Sequence, residues 1–236
     1  MFQFKQFTIQ QDRCAMKVGT DGVLLGAWTP IAHNPYTILD IGAGTGLIAL
    51  MLAQRSSAGQ IDAIEIDGNA YEQCVENFEQ SPWNDRLFCF HASLDDFMDE
   101  LEDETYDLIV SNPPFYAENV PSGDAARDQA RQLKSLPFED LCEAASVLLS
   151  DNGILSVVIP YKEETRFLEI AAENELHPVK ITRVTGTPNA EKKRSLLVVS
   201  RHRLDHYPVD QLVIEIERHQ YTPDFTALVK EFYLKL

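Results

Sequence analysis

One short stretch of this chain has the residue types needed for a reaction on an amine: Asn112-Pro113-Pro114-Phe115. Asn112 offers a side-chain carbonyl and Pro113 a backbone carbonyl, and two such acceptors can hold the N–H groups of an exocyclic amine. Because proline fixes its own φ and pushes the preceding residue to an extended conformation, both acceptors are aimed in advance. They can also stabilise the positive charge that develops on the attacking nitrogen. Phe115 can stack on a base turned out of its helix or loop. All four are candidate catalytic residues, although a plain loop with a packed phenylalanine would show the same letters.

A glycine-rich turn earlier in the chain is suited to ligand binding. Gly42, Gly44 and Gly46 separate an apolar run, residues 36–41, from a helical pattern over Leu47–Arg55. A strand, a tight turn and a helix start in this order bring backbone N–H groups close to a ligand. The spacing is G-x-G-x-G, which differs from the G-x-G-x-x-G of dinucleotide-binding proteins.

An acidic residue follows at the distance expected for a ribose contact. Glu65 lies near the end of the next apolar run, 19 residues after Gly46, and an acid there can accept both ribose hydroxyls of an adenosine-containing cofactor. Asp40 lies at the tip of the preceding strand. Together these features resemble motifs I and II of class I S-adenosylmethionine (SAM) methyltransferases, which implies SAM as the cofactor. The implied contacts with SAM are Asp40, Gly42, Gly44, Gly46, Glu65 and Asn112.

Two further segments extend the implied cofactor site. In class I methyltransferases the segment before the first motif commonly covers the methionine end of SAM, which makes Lys17, Thr20 and Asp21 candidates. An N-cap beside a surface lysine is an equally open interpretation of these three residues. Ser93 lies where related enzymes contact the adenine, usually through an aspartate. A serine can donate or accept a hydrogen bond but carries no charge.

Strand and helix patterns alternate along most of the chain. Strands are predicted at residues 36–41, 61–66, 87–91, 106–110, 154–159, 179–184 and 195–200. Helices are predicted at residues 47–55, 67–80, 95–101, 136–149 and 163–174. This order matches the Rossmann-like α/β fold of class I methyltransferases, with seven mostly parallel strands, an antiparallel last strand and helices on both faces.

Short extensions flank this pattern. They are an N-terminal strand or hairpin at 2–9, a helix from Thr20 or Asp21 to Trp28, an extra strand at 212–216, and a terminal helix at 222–233. Thr20 or Asp21 is expected to cap the first of these helices, and Thr222 the last. No repeat or linker interrupts the sequence, so we expect residues 1–236 to form a single domain.

The composition of the chain argues against a membrane protein, a secreted protein and a metal-binding protein. Hydrophobic residues make up 44% of the chain, and no apolar run approaches the roughly 18 residues of a membrane span. The N-terminus lacks the basic-then-apolar plan of a signal peptide. The four cysteines are far apart, without a C-x-x-C pair, which is typical of buried thiols in a reducing cytoplasm. We therefore expect a cytoplasmic protein without a metal site or membrane association, and a monomer rather than an oligomer.

Charge is distributed unevenly along the sequence. The whole chain carries −17, which argues against general nucleic-acid binding. Residues 180–203 nevertheless hold seven basic residues and one acid, a net of +6, so the rest carries −23. A local basic face suits a selective contact with a phosphate backbone, while a solvated loop between strands is the alternative. The candidate RNA contacts are Arg127, Arg131, Lys192, Lys193 and Arg194.

The segments taken together sharpen the resemblance. Residues 14–28, 127–141 and 221–234, with the glycine turn, Glu65 and the Asn112 stretch, are similar to the bacterial tRNA1(Val) adenine-N6 methyltransferases. That family methylates the adenosine at position 37, beside the valine anticodon. The resemblance covers nearly the whole chain and implies tRNA as the substrate. The end segments favour the tRNA family, because the other motifs specify only the reaction class.

Two alternatives stay open on the residues alone. The same chemistry could act on another amine: an rRNA guanine, a DNA adenine or a protein glutamine. The chain could also bind SAM or RNA without activity. An intact Asn112-Pro113 pair beside an intact glycine turn speaks against an inactive protein, and the basic segment favours RNA over a peptide.

Overall fold

The computed structural model describes residues 1–101, 103–114 and 136–235. In chain order the strands are β1 Phe2–Gln3, β2 Thr8–Ile9, β3 Thr37–Ile41, β4 Gln60–Glu65, β5 Leu87–His91, β6 Tyr106–Ser111, β7 Leu149–Pro160, β8 His177–Thr185, β9 Lys192–Ser200, β10 Val209–Val213, β11 Glu215–Glu217 and β12 Gln220–Tyr221. The helices are α1 Thr20–Trp28, α2 Leu47–Arg55, α3 Gly68–Glu79, α4 Leu94–Glu100, α5 Phe138–Leu148, α6 Glu164–Glu173 and α7 Pro223–Val229. A 3-10 turn, Tyr161–Glu163, joins β7 to α6.

The central sheet has eight strands in the order β5-β4-β3-β6-β7-β9-β8-β10. All neighbours are parallel except β9, which runs antiparallel to both β7 and β8. The predicted class I arrangement is therefore confirmed, but the predicted count of seven strands is wrong. The segment predicted as an extra strand at 212–216 starts earlier, and β10 pairs in parallel with β8 at the edge of the sheet. Buried Leu212 anchors this added strand to the core.

Two apolar cores lie on opposite faces of the sheet. Helices α1, α2, α3 and α7 contribute to the first core, and α4, α5 and α6 to the second. Successive residues of β3 alternate between them: Ile38 belongs to the first core and Leu39 to the second. Because side chains on a strand alternate between faces, apolar residues at consecutive positions cover both layers.

Side-chain caps begin α3 and α7, and the predicted cap of α7 is confirmed. The Asp67 side chain accepts from the N–H groups of Asn69 and Ala70 at the start of α3. Thr222 caps α7 in the same way. The prediction that Thr20 or Asp21 caps α1 is wrong, because both residues are already helical and Gly19 occupies the cap position without a side-chain bond.

The ends of the chain pack together beside the sheet. β1 and β2 form the predicted N-terminal hairpin, and Phe4 pairs with Tyr233 in an isolated antiparallel bridge. The rings of Phe4 and Phe7 stack with centroids 4.7 Å apart, and Phe4 also stacks on Tyr233 at 5.9 Å. Apolar and aromatic contacts thereby hold both extensions on the core.

One edge of the sheet collects the segments of chemical interest. The carboxyl ends of β3, β4, β5 and β6 meet there, as parallel strands require. Ser111 at the end of β6 is level with Ile41 and donates a hydrogen bond from its Oγ to the Ile41 carbonyl, 2.9 Å away. Because β9 is antiparallel, its first residues lie at this same edge, with Arg194 opposite Pro160.

Candidate active site

A cavity of about 300 Å³ opens at the carboxyl edge of the sheet. This volume lies at the lower end of the range of about 300–1,000 Å³ usual for ligand pockets. The wall consists of Cys14, Ala15, Met16, Ile41, Gly42, Gly44, Ile64, Glu65, Ile66, Asp67, Ala70, Ala92, Ser93, Leu94, Asp95, Asn112, Pro114, Leu136 and Asp140. Of the predicted cofactor contacts, Gly42, Gly44, Glu65, Ser93 and Asn112 are thus brought together.

Two glycines give the cavity its floor. Gly42 and Gly44 have φ values of +73° and +56°, in the left-handed region that glycine adopts without strain. A Cβ added to either glycine would meet no described atom within 4 Å, so the backbone faces open space. The amides of Gly42 and Ala43 both donate to the Ile64 carbonyl. The turn therefore offers a ligand close approach to the backbone, whereas its first two N–H groups are already bonded.

The third glycine of the turn has a packing role. A Cβ on Gly46 would lie 2.5 Å from the Phe78 ring and 2.8 Å from Cys74 Sγ, both on α3. Gly46 also has a left-handed φ, +77°, and precedes α2 as its N-cap residue. The structure thus gives Gly46 a packing reason to be glycine, and its predicted contact with the cofactor stays a prediction.

Asp40 stands behind the turn, outside the cavity wall. It is fully buried, and its Oδ2 accepts from the Ala49 N–H in the first turn of α2. Gly46 has no side chain to cap α2, and Asp40 supplies that acceptor from β3. Burial raises the pKa of Asp40 to about 7. The hydrogen bond from the Ala49 N–H acts in the opposite direction, and the charge on Glu65 raises the pKa slightly further.

Glu65 joins the two sides of the cavity. Its Oε2 accepts from the Gly44 N–H and its Oε1 from the Asp67 N–H, both at 2.8 Å. The residue is only 9% exposed, so the carboxylate is held at a fixed position in the wall. Each carboxylate oxygen retains a further lone pair, which is the capacity needed to accept from a pair of ribose hydroxyls.

Asn112 lines the cavity and carries a buried acceptor without a described partner. Its Oδ1 is buried and has no hydrogen-bond partner among the residues that the structure describes. A buried polar atom without a partner costs about 1–3 kcal/mol, which a ligand donor can recover. Pro113 is buried directly after it, and Pro114 forms part of the wall. The fourth predicted catalytic residue, Phe115, lies outside the described residues.

The segment before α1 closes one side of the cavity with residues other than those predicted. Cys14, Ala15 and Met16 line it, whereas Lys17, Thr20 and Asp21 do not. Asp21 instead binds Arg194, with its Oδ2 2.8 Å from the guanidinium Nε. Burial, with a smaller contribution from Glu65, raises the pKa of Cys14 to about 11, so this thiol stays protonated at neutral pH.

Ser93 is in the wall but its hydroxyl is engaged locally. Its Oγ accepts from the Asp96 N–H as the N-cap of α4 and donates to Asp96 Oδ2, 2.6 Å away. Asp95 and Asp140 line the same part of the cavity, and burial together with Asp95 raises the pKa of Asp140. These two carboxylates were not identified from the sequence, because neither strand tips nor glycine spacing marks helix residues that face a ligand.

Ile66 is a second residue that sequence analysis missed. It lines the cavity directly after Glu65 and leaves 45% of its surface exposed. An apolar side chain exposed beside the Glu65 carboxylate offers an apolar contact for a ligand ring. Its position immediately after Glu65 was the one sequence feature that could have identified it.

The basic residues separate into two groups. Lys192, Lys193 and Arg194 begin β9 at the cavity edge of the sheet, so the prediction that they lie in a loop is wrong. Arg201 follows the other end of β9, and its Nη2 donates to the Ser146 carbonyl. A strand of nine residues spans roughly 30 Å, which separates the groups. Arg127 and Arg131 lie outside the described residues.

Comparison with known proteins decides the family. Residues 24–179 match the family described as methyltransferase small domain. The chain is 65% identical over 236 residues to the tRNA1(Val) (adenine(37)-N6)-methyltransferase of Flavobacterium johnsoniae, covering 100% of both chains. The protein of the same name from Flavobacterium psychrophilum is 67% identical with the same coverage. This chain belongs to the tRNA1(Val) (adenine(37)-N6)-methyltransferase family. The family predicted from the sequence is confirmed.

Solved structures of other methyltransferases share the fold of this family member. A predicted O-methyltransferase from Agrobacterium tumefaciens superposes with a TM-score of 0.68 at 20% identity, covering 90% of this chain and 96% of that one. The 16S rRNA N2 G1207 methyltransferase of T. thermophilus gives 0.54 at 18% identity, covering 80% of this chain and 44% of that one. At these identities the likeness extends to the fold alone.

Two further properties of the family member concern its described residues. None of the helices in residues 1–101, 103–114 and 136–235 is long and apolar enough to cross a membrane. Over the same residues, no group of three or more His, Cys, Asp or Glu side chains is arranged to hold a metal ion.

Proposed function

We propose that this protein transfers a methyl group from SAM to the exocyclic N6 of the adenosine at position 37 of tRNA1(Val). Relatives with this name match the chain over its full length at 59–67% identity, which supports both the reaction and the substrate. Within the structure, the proposal depends chiefly on one observation: the unpartnered Oδ1 of Asn112 in the cavity wall.

The cavity residues fit SAM. The Cβ-free backbone at Gly42 and Gly44 leaves open space where any side chain would intrude, and Glu65 presents lone pairs to a ribose. Cys14, Ala15 and Met16 cover the cavity from the N-terminal side. SAM supplies an electrophilic methyl group on a sulfonium. We assign cofactor binding to Gly42, Gly44 and Glu65, and positioning of the turn to Asp40 and Gly46.

Asn112 and Pro113 act on the amine. The Asn112 Oδ1 and the Pro113 carbonyl accept the two N–H groups of N6, which turns the nitrogen lone pair out of the purine plane. The same two carbonyl dipoles stabilise the positive charge that forms as nitrogen takes the methyl group. No general base acts before transfer, because the nitrogen releases its proton only after the new bond has formed. Catalysis then consists of placement and electrostatics.

The start of β9 is the proposed RNA contact. Lys193 is exposed and Lys192 half-buried at the edge where a base must enter. Arg194 stays in the proposed contact, but mainly as the partner of Asp21, which already binds its guanidinium. We also propose that residues 1–236 act as one domain and as a monomer in the cytoplasm, where tRNA is the available substrate.

A methylation assay with defined RNAs tests this function. Valine tRNA transcripts are incubated with the enzyme and isotope-labelled SAM, digested and analysed by nucleoside mass spectrometry. We expect N6-methyladenosine from the wild-type transcript and none from a transcript carrying guanosine at position 37. Labelled N2-methylguanosine, or label that persists in the substituted transcript, would show that the enzyme acts on another amine.

A further inference from the structure

An aromatic side chain flanked by cations lies at the same edge of the sheet as the cavity, without a role in the chemistry described so far. Tyr161 follows β7 in the 3-10 turn at the carboxyl edge of the sheet. Lys192 Nζ lies 5.1 Å from the centroid of its ring, and the guanidinium carbon of Arg183 lies 5.7 Å from it. Both distances are within the range of about 6 Å for cation–π contacts.

The cation on the β8 side is fixed in place. Arg183 donates from Nε and Nη2 to Glu164 Oε1, at 3.1 and 2.7 Å, and Glu164 is 7% exposed. Ser195 on β9 donates its Oγ to the other carboxylate oxygen. Burial opposes ionisation of Glu164, but the bonds from Arg183 and Ser195 lower its pKa below the usual value. The pair therefore keeps its charges and holds one side of the tyrosine rigidly.

The remaining positive charge faces outward beside the ring. Glu164 binds Arg183, Asp21 binds Arg194 and Glu163 binds Lys162, so Lys192 and Lys193, with Glu191 before them, set the remaining charge at this corner. Lys193 is exposed, and Lys192 contacts the ring through its ammonium group. Single-stranded nucleic acids are bound by this combination of an aromatic surface for a base and cations for the adjoining phosphates.

The distance to the catalytic stretch suits a neighbouring nucleotide rather than the target base. Ser111 lies beside Val157, and Tyr161 is four residues further along the chain. At no more than about 3.3 Å per residue, the backbone of Tyr161 stands up to roughly 13 Å beyond the level of Ser111. This separation suits a base on Tyr161 that neighbours the base whose amine reaches Asn112.

We propose that Tyr161 is the stacking platform for an unpaired base that flanks the target adenosine, with Lys192 and Lys193 on its phosphates. This proposal rests on the proposed tRNA-methylating function and adds a second base-binding site to it. Lys192 leaves the ring when the base arrives and moves to the phosphate, so the cation that covers the platform also recruits its ligand.

Substitution at Tyr161 tests the platform. Tyr161→Leu keeps apolar bulk without a π-face, Tyr161→Phe keeps the π-face, and Tyr36→Leu changes an exposed tyrosine (67%) at the opposite end of the sheet. With full-length valine tRNA we expect Tyr161→Leu to raise the Kd about 5- to 150-fold. Tyr161→Phe and Tyr36→Leu should bind as the wild type does. SAM affinity, measured by calorimetry, should be unchanged in all three, which reports an intact fold.

An RNA partner for the ring is identified by a double-mutant cycle. One valine tRNA carries an abasic nucleotide at position 36 and another at position 38. The affinity of each is measured for wild type and for Tyr161→Leu. At one position the base deletion should weaken wild-type binding but leave Tyr161→Leu unaffected. The platform would be overturned if the base deletions and Tyr161→Leu had additive effects on binding free energy at every position. It would also be overturned if Tyr161→Leu bound tRNA as tightly as wild type, or if Tyr161→Phe weakened binding equally. Methylation of position 37 by wild type is recorded in the same samples, so its absence would mark failure of the proposed function instead.

Discussion

Asn112 is the residue on which the proposed chemistry depends. The sequence predicted its role from two adjacent carbonyls before proline, and the structure adds that its Oδ1 is buried in the cavity wall without a described partner. Its position follows from β6, whose last residue, Ser111, is tied to the end of β3. The neighbouring strands therefore fix the place from which the side chain reaches the cavity.

Asn112→Ala should lower the rate of methyl transfer about 10²- to 10³-fold, because it removes a dipole that acts mainly in the transition state. Affinity for SAM should change little. Single-turnover rates with saturating tRNA and SAM give the first quantity, and calorimetry gives the second. Asn84→Ala, in the loop before β5, is a matched control at the opposite edge of the sheet. A fully active Asn112→Ala enzyme would rule out the carbonyl-pair mechanism.

At the level of single residues, the sequence identified ligand-facing groups only where a motif marked them. Gly42, Gly44, Glu65 and Asn112 end or follow strands and fall in recognisable spacing, and all four line the cavity. Cys14, Asp95 and Asp140 also line it, but they approach from a loop and two helices. Which face of a short helix meets a ligand depends on packing between distant elements, and one sequence does not show that.

Among the elements, the glycine turn shows how one motif combines two tasks. Gly44 faces the cavity and Gly46 packs on α3. Both have positive φ, so an alanine at either position carries backbone strain of about 1–2 kcal/mol. At Gly46 the new Cβ also collides with Phe78 and Cys74, which adds about 1–3 kcal/mol of overpacking.

Gly46→Ala should therefore act mainly on stability and Gly44→Ala mainly on SAM binding. Gly46→Ala should lower the free energy of unfolding more than Gly44→Ala, as measured by urea denaturation without ligand. Gly44→Ala should weaken SAM binding more than its stability loss would suggest, because the methyl group occupies the ligand side of the turn. Equal unfolding free energies together with equal SAM affinities would contradict this division of roles.

The strand-to-helix junction should also give the protein a pH-dependent stability. Burial raises the pKa of Asp40 to about 7, so the folded state holds a proton that the unfolded state releases near pH 4. The contribution of Asp40 to stability is therefore full below about pH 4 and is lost as pH rises to about 7. Denaturation of Asp40→Asn, which keeps an acceptor for Ala49, should lack this component. Parallel pH profiles of the variant and the wild type would contradict it.

Across the whole molecule, charge is arranged so that an acidic protein presents one basic corner. The chain carries −17, and Lys192 and Lys193 lie at the cavity edge of the sheet. The charge count for residues 180–203 suggested a single basic segment, but β9 divides it, and Asp21 and Glu164 neutralise two of its arginines. Counting along a sequence could not reveal this, because the two acids are distant in the chain from Arg194 and Arg183.

Lys193→Ala should weaken tRNA binding and reduce the slope of log affinity against log salt by about 0.7–0.9, the contribution of one phosphate contact. Arg203→Ala removes the same charge from an exposed side chain beyond the other end of β9 and should leave the slope unchanged. Filter binding over a salt series measures both. Equal effects of the two substitutions would mean that net charge, not position, governs RNA binding.

The fold was largely predictable at this scale. The strands and helices along the chain followed from apolar periodicity, and the antiparallel strand and the layers of helices from the resemblance to class I methyltransferases. The eighth strand did not, because a short edge strand such as β10 is specified by the neighbour it pairs with more than by its own residues. The early start of β9 has the same origin, since Lys192 pairs with Thr185 across the sheet edge.

Nucleoside mass spectrometry of valine tRNA from a strain that lacks the gene tests the central claim most directly. Purified tRNA1(Val) is cut to its anticodon-loop fragment, and the modification at position 37 is compared among the deletion strain and strains complemented with wild type or Asn112→Ala. We predict that N6-methyladenosine disappears on deletion, returns with wild type and stays absent with Asn112→Ala. N6-methyladenosine that persists at position 37 in the deletion strain would contradict the assignment.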